Sequence, residues 1–355
     1  MSPRPELRWP GRTARAVPTG TVPTTPTQVT SITQDAAATV SWVHSGSGTS
    51  SYTVTPYIAG SPQATTTVSA PASSAAVTGL TNATAYTFTV KANNASGSSV
   101  ESAASGSNTP RVNLIFGDEF NGTFLDPAWL AMSRDGDQSN GETQYYLPAN
   151  VSLDGSSNLV IVAQSQAVTK PGYDDANPPT YAGANVTRNY TSGAVQWAAF
   201  GYTYGVIQVS AKVANGTNLW PAIWMMGDNC HTTNALNPDN VGTCNWHSSG
   251  SEECDIAEFT GGGVATYNTE LYYNGGTTGG TGVTVSNADT TFHTYEVDWA
   301  AGTMSSVLDG STVRGPWTTA VPSTNMFLIM QTAIRGTPTF TQPNLVVDWV
   351  RVFHN

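Results

Sequence analysis

Along this chain, apolar residues recur at every second position in short bursts separated by turn-forming residues. Tyr52-Thr53-Val54-Thr55-Pro56-Tyr57 and Tyr86-Thr87-Phe88-Thr89-Val90-Lys91-Ala92 alternate large apolar with small polar side chains between Gly- and Ser-rich turns. Asn158-Leu159-Val160-Ile161-Val162-Ala163 and Tyr204-Gly205-Val206-Ile207-Gln208-Val209-Ser210-Ala211-Lys212 are further strands, and no convincing 3.6-residue stripe interrupts the series. Side chains that alternate in direction give a strand one face to bury, and the partner for that face is a second sheet. The expected fold class is therefore all-β, built of antiparallel sandwiches, and helical or α/β folds are excluded. Only 10% of the 355 residues are charged, while Thr, Ser, Gly and Asn abound, a composition of short strands and polar turns.

The pattern divides the chain. Residues 1–20 carry Arg4, Arg8, Arg12 and Arg15 but no apolar run, so they read as a disordered tail. A secretory signal, with about 7–15 apolar residues after a basic start, is not visible there. Residues 21–109 read as seven short strands. In them Trp42 lies on an early strand, and Leu80-Thr81-Asn82-Ala83-Thr84-Ala85-Tyr86 matches the turn into a tyrosine corner. On these residues the segment resembles a fibronectin type III domain, an immunoglobulin-like β-sandwich; such modules are usually spacers or adhesion units. Gly106-Ser107-Asn108-Thr109-Pro110 is a polar linker, and residues 110–355 form the second domain. The formal charge of −11 disfavours nucleic acid and anionic membrane as partners, and no segment is apolar for long enough to span a bilayer.

The chemistry concentrates in Ser251-Glu252-Glu253-Cys254-Asp255-Ile256-Ala257-Glu258-Phe259. On a strand, Glu253 and Asp255 share a face, and the odd offset to Glu258 puts it on the other. A β-bulge at Ile256-Ala257 brings it back, whereas a helix scatters the three carboxylates around its circumference. Two carboxyls about 5–5.5 Å apart suit a retaining glycosidase, and a third can hold their pKa values apart. The spacing alone also fits an acidic solvated strand or a calcium site. Cys254 should point into the core, while Cys230 and Cys244 flank a polar loop that a disulfide would close.

Asp118-Glu119-Phe120, Asn140-Gly141-Glu142, Trp220-Pro221-Ala222-Ile223-Trp224, the acidic strand, Phe292-His293-Thr294-Tyr295-Glu296-Val297-Asp298-Trp299, Leu308-Asp309-Gly310 and Val347-Asp348-Trp349-Val350-Arg351-Val352 occur in one order. In that order the second domain resembles glycoside hydrolase family 16, and its two residues between Asp255 and Glu258 resemble the laminarinase branch. The resemblance implies a concanavalin-like jelly roll with a cleft for β-glucans or galactans. It implies Glu253 as nucleophile, Glu258 as general acid/base and Asp255 as the supporting carboxylate, with no cofactor in the chemistry. Trp220 and Trp224, four apart on one strand, are expected to face the cleft and take the apolar faces of sugar rings. Trp299 is a further aromatic candidate, with Asn140, Glu142 and Gln331 bonding sugar hydroxyls, while His293 is expected to pack under the sheet. Glu119 and Asp348 would hold the structural calcium that relatives often carry.

The sequence departs from that pattern where Leu271-Tyr272-Tyr273 replaces Leu-His-aromatic and where Ala194 stands in place of an Arg after Ser-Gly. The expectation is a secreted, monomeric endo-β-1,3-glucanase acting on a polysaccharide. The rivals are a mixed-linkage β-1,3-1,4-glucanase or galactan hydrolase, a glucan-binding lectin, and an extracellular structural protein whose carboxylates bind calcium.

Overall fold

The computed structural model describes residues 20–137, 140–172, 184–198, 201–230, 252–260, 263–273 and 276–354. Its regular secondary structure is nearly all strand. The N-terminal unit packs Val40, Trp42, Tyr52, Val54, Val77, Tyr86, Phe88 and Val90 into one core, with the Trp42 and Tyr52 rings 5.0 Å apart. Its tyrosine corner is closed by the Thr81 N–H, which donates to the Tyr86 hydroxyl at 3.0 Å. One segment of this unit pairs irregularly. Over residues 99–105 the backbone and the hydroxyls of Ser99, Ser102 and Ser105 together bond the main chain of Ala92, Val90 and Phe88. Three residues on one side match two on the other, so serine side chains replace a regular ladder.

The second unit is a sandwich. Its inner sheet runs, in spatial order, Trp129–Ala131, Ala194–Trp197, Met326–Ile334, Leu219–Gly227, Glu253–Glu258, Thr266–Tyr273 and Gly276–Thr284. The outer sheet runs Ser311–Trp317, Thr303–Leu308, His293–Ala300, Gly205–Lys212, Asn344–Phe353 and Leu114–Asp118. Ile207, Val209, Val297, Trp299, Val347 and Val350 of the outer sheet join Ile223, Met225, Cys254, Ile256, Leu271 and Phe327 of the inner one in a single buried cluster. Burying such side chains stabilises by roughly 1.5–3 kcal/mol each, which fixes the strand faces and with them the direction of every polar residue between.

The outer sheet does not end at Leu114–Asp118. Thr33 on Thr27–Gln34 of the N-terminal unit pairs with Gly117, and the sheet continues through Ala37–Val43 and Ser74–Thr78. Ile32 belongs to the core of the second unit, while Val29 belongs to that of the first. The linker is packed as well. Asn108 is buried and donates to the Ser31 carbonyl at 2.6 Å, and a Cβ at Gly106 would lie 2.4 Å from the Asn121 backbone.

Trp299, expected at the sugar site, is a core residue. It is fully buried on the outer sheet, with its indole N–H donating to the Pro322 carbonyl at 3.0 Å. On the same strand, His293 Nδ1 lies 2.7 Å from Asp309 Oδ2 and Nε2 lies 2.8 Å from the Ser286 carbonyl, a structural bridge. The expected calcium pair lies close together, since the charge of Glu119 helps raise the Asp348 carboxyl, after burial as the larger cause. Both Glu119 oxygens accept from Arg351 at 2.8 Å, and Asp348 faces Ser210 at 3.4 Å. Among the described residues no cluster of three or more His, Cys, Asp or Glu side chains is arranged to hold a metal. Residues 1–19 and Cys244 lie outside the described residues, so neither the tail nor the Cys230–Cys244 pairing can be read from the fold; Cys230 itself is buried.

Candidate active site

Ala222 lies opposite Glu258, Ile223 opposite Ala257 and Trp224 opposite Asp255, which leaves Ile256 as the extra residue on the acidic strand. The ladder to the other neighbour breaks at the same place, between Asp255 and Glu258. The cause lies in the sequence. Ile256 and Ala257 are both buried in the inter-sheet core, so two consecutive residues point the same way and the phase of the strand shifts by one. Cys254 points into that core too, with its Sγ 3.7 Å from Met304 Sδ. Glu253, Asp255 and Glu258 consequently line one cleft.

That cleft, about 450 Å³ and open to solvent, is also lined by Arg134, Asn140, Glu142, Trp220, Ala222, Trp224 and Gln331. Trp220 and Trp224 thus both reach it, as even spacing on one strand requires. Ala222 between them is the register partner of Glu258 and offers only a methyl group. Glu258 is bonded instead from the diagonal position, where the Trp220 indole N–H donates to its Oε1 at 3.0 Å. Gln331 arrives from the adjacent strand, opposite Ala222 and Ala194. Glu142 lines the wall, but its Oε2 accepts from Gln144 Nε2 at 2.6 Å, the Asp137 N–H at 3.1 Å and the Tyr146 hydroxyl at 3.2 Å. It braces the wall at least as much as it faces a ligand.

Burial sets the electrostatics. It holds Asp255 well above the usual carboxylate range, and Glu253, Glu258 and Glu270 around it push the same way. Glu258 is raised too, first by burial and also by Glu270, against the hydrogen bonds from Trp220 and Asn268 and the charge of Arg335. A raised carboxyl stays protonated toward neutral pH, the state a general acid needs. Desolvation is the larger cause of this rise, and Glu270 is the charged neighbour that adds to it.

Several groups at the site escaped the sequence reading. Glu270 is the register partner of Asp255, and the Tyr272 hydroxyl donates to its Oε2 at 2.5 Å. Arg134 comes from a short edge segment, Arg134–Asp135. Arg335 follows the Met326–Ile334 strand, with its guanidinium carbon 3.4 Å from the Trp220 ring centroid. For Arg335 a signal existed, since it lies four residues beyond Gln331 and even spacing keeps one face. For Glu270 none did, because cross-strand register is not written in either strand alone.

Three carboxyls on a bulged strand, two with raised affinity for protons, beside indoles in an open cleft of a β-sandwich: this is the apparatus of a glycoside hydrolase. The sequence model of glycosyl hydrolases family 16 matches residues 164–351, more than half of the chain, and that of the fibronectin type III domain matches residues 22–107. The chain belongs to glycosyl hydrolases family 16 and carries an N-terminal fibronectin type III domain. It is 27% identical over 272 residues to the beta-glucanase of Rhodothermus marinus, covering 69% of this chain and 86% of that protein. It is 29% identical over 286 residues to glucan endo-1,3-beta-glucosidase A1 of Niallia circulans, covering 68% of this chain but 38% of that longer protein. Among solved structures, LamA of Z. galactanivorans in complex with laminaritriose and laminaritetraose superposes with a TM-score of 0.55 at 25% identity, over 68% of this chain and 99% of that one.

Proposed function

We propose that this glycoside hydrolase is an endo-β-1,3-glucanase that cleaves laminarin-type glucan with retention of anomeric configuration. The observation that carries the reading is the bulge at Ile256, which sets Glu253, Asp255 and Glu258 on one cleft wall beside Trp220 and Trp224. The likeness to LamA solved with laminari-oligosaccharides and to the endo-1,3-glucosidase of Niallia circulans supports the linkage.

In this reaction Glu258, protonated, donates to the leaving glycosidic oxygen while Glu253 attacks the anomeric carbon. A glycosyl–Glu253 ester forms, and the bond to the leaving sugar breaks. Water then attacks the same carbon, Glu258 takes its proton, and the ester bond breaks to release Glu253 and the sugar. Asp255, whose affinity for a proton burial raises, limits the negative charge between the two reacting groups. Trp224 and the exposed part of Trp220 contact sugar rings, with Asn140 and Gln331 placed for hydroxyls. We assign the protein to the cell exterior as a monomer, with a Cys230–Cys244 disulfide.

The test is release of reducing ends from laminarin, barley mixed-linkage glucan, agarose and carboxymethylcellulose. Release from laminarin that Glu253→Gln abolishes is the expected result. Release from another polymer alone would correct the substrate, and glucan binding without release from any of them would make the chain a lectin.

A further inference from the structure

We propose that Arg335 is a positioning residue for the acid/base carboxyl, holding the Trp220 indole so that its N–H stays on Glu258. The proposal rests on the reading of Glu258 as acid/base.

The geometry forms a chain of three groups. The guanidinium of Arg335 lies over the Trp220 ring at 3.4 Å, close enough for stacking, and the ring's N–H reaches Glu258 Oε1 at 3.0 Å. Arg335 is itself fixed at both ends: Nε of the guanidinium donates to the Asn140 carbonyl at 3.0 Å, and its main-chain N–H donates to the Asn218 carbonyl at 2.9 Å. It also forms a β-bridge with Glu142. Trp220 is therefore held between a strand and a cation, and only 8% of it is exposed. Its N–H is thereby directed at one acceptor, Glu258.

The consequence concerns both halves of the reaction. Glu258 must be protonated when it donates and ionised when it accepts the water's proton. The groups facing it are Glu253 and Asp255 on its own strand, Asn268 and Glu270 on the next, Trp220 on the other side, and Arg335 above; Arg134 and Glu142 line the same cleft. Burial and Glu270 favour the protonated form; the Trp220 N–H, Asn268 and Arg335 favour the ionised one. Arg335 acts on the ionised side twice, by its charge and by keeping the indole in place. A lysine can supply the charge but not the planar stack.

The experiment follows the indole N–H resonances of the ¹⁵N-labelled full chain between acid and alkaline pH, with no substrate. The Trp220 signal is identified by its loss in Trp220→Phe, and its titration is assigned to Glu258 by its disappearance in Glu258→Gln. The expected result is a higher titration midpoint and faster N–H exchange in Arg335→Met, with Arg335→Lys recovering the midpoint but not the slow exchange. On whichever polymer the wild type cleaves, kcat of Arg335→Met should fall roughly ten- to a hundredfold with KM little changed, and its alkaline limb should move to higher pH. An unchanged indole titration, or a rise in KM with kcat intact, would overturn the proposal and make Arg335 a sugar contact. Full activity of Glu258→Gln would overturn the acid assignment instead, and is seen separately from the titration. Arg335→Lys, which keeps the cation and most of the stem, carries the exchange test should Arg335→Met not fold.

Discussion

Thr33 of the N-terminal domain and Gly117 of the catalytic domain are register partners, and at that pair the sheets of two domains become one. Ile32 next to it enters the catalytic core, and buried Asn108 ties the linker back to Ser31. The fibronectin type III domain covers the edge of the Leu114–Asp118 strand and packs against the enzyme through Ile32.

This junction predicts one cooperative unfolding transition by calorimetry, with activity lost at the same midpoint. Ile32→Ala should cost about 2–5 kcal/mol and lower that single midpoint. Two separated transitions in the wild type would show that the domains unfold independently.

At the carboxylates, Glu258→Gln should lower kcat roughly 10²–10⁴-fold, since the group is needed as acid and then as base. Azide, which needs no base, should restore turnover as a β-glycosyl azide after substitution of the acid/base. Chromatography of the products decides whether that adduct forms.

The pH profile follows from neighbours of Glu258. Its pKa is raised, so the protonated acid is lost, and kcat falls, only as pH climbs through that raised value. Glu270 is one of the groups that raise it, and Glu270→Gln should therefore move the alkaline limb to lower pH. A limb that stays in place would show that Glu270 does not help set it.

Trp299 and Trp224 should part company. Trp299→Phe removes the bond to Pro322 inside the core and should cost about 1–3 kcal/mol of stability while KM stays as it was. Trp224→Ala should instead raise KM, because its ring lines the cleft. Thermal melts and initial rates on laminarin separate the two.

Cys254 is a free, buried thiol, and burial holds it well above the usual thiol range. With the disulfide proposed for Cys230 and Cys244, a thiol reagent should find one group per chain in denaturant and three after reduction. Three without reduction would remove the disulfide.

Period-two alternation determined the sandwiches, because a strand's facing is a local property of consecutive residues. The offsets of two and three among Glu253, Asp255 and Glu258 determined the bulge for the same reason, as did the even spacing that sends Trp220 and Trp224 to one side. What the tertiary structure decided is everything that depends on which strand lies beside which. Trp299 alternates correctly, but its sheet faces the core and not the cleft. Glu119 meets Arg351, far along the chain, through both its oxygens. Glu270 reaches the site by cross-strand register, which spacing within one strand does not give, and for Arg335 even spacing gives the face but not the stack on Trp220. Thr33 and Gly117 join two domains whose sequence patterns end before they meet. Short-range periodicity fixes the direction of a side chain, and only the packed core fixes what it meets there.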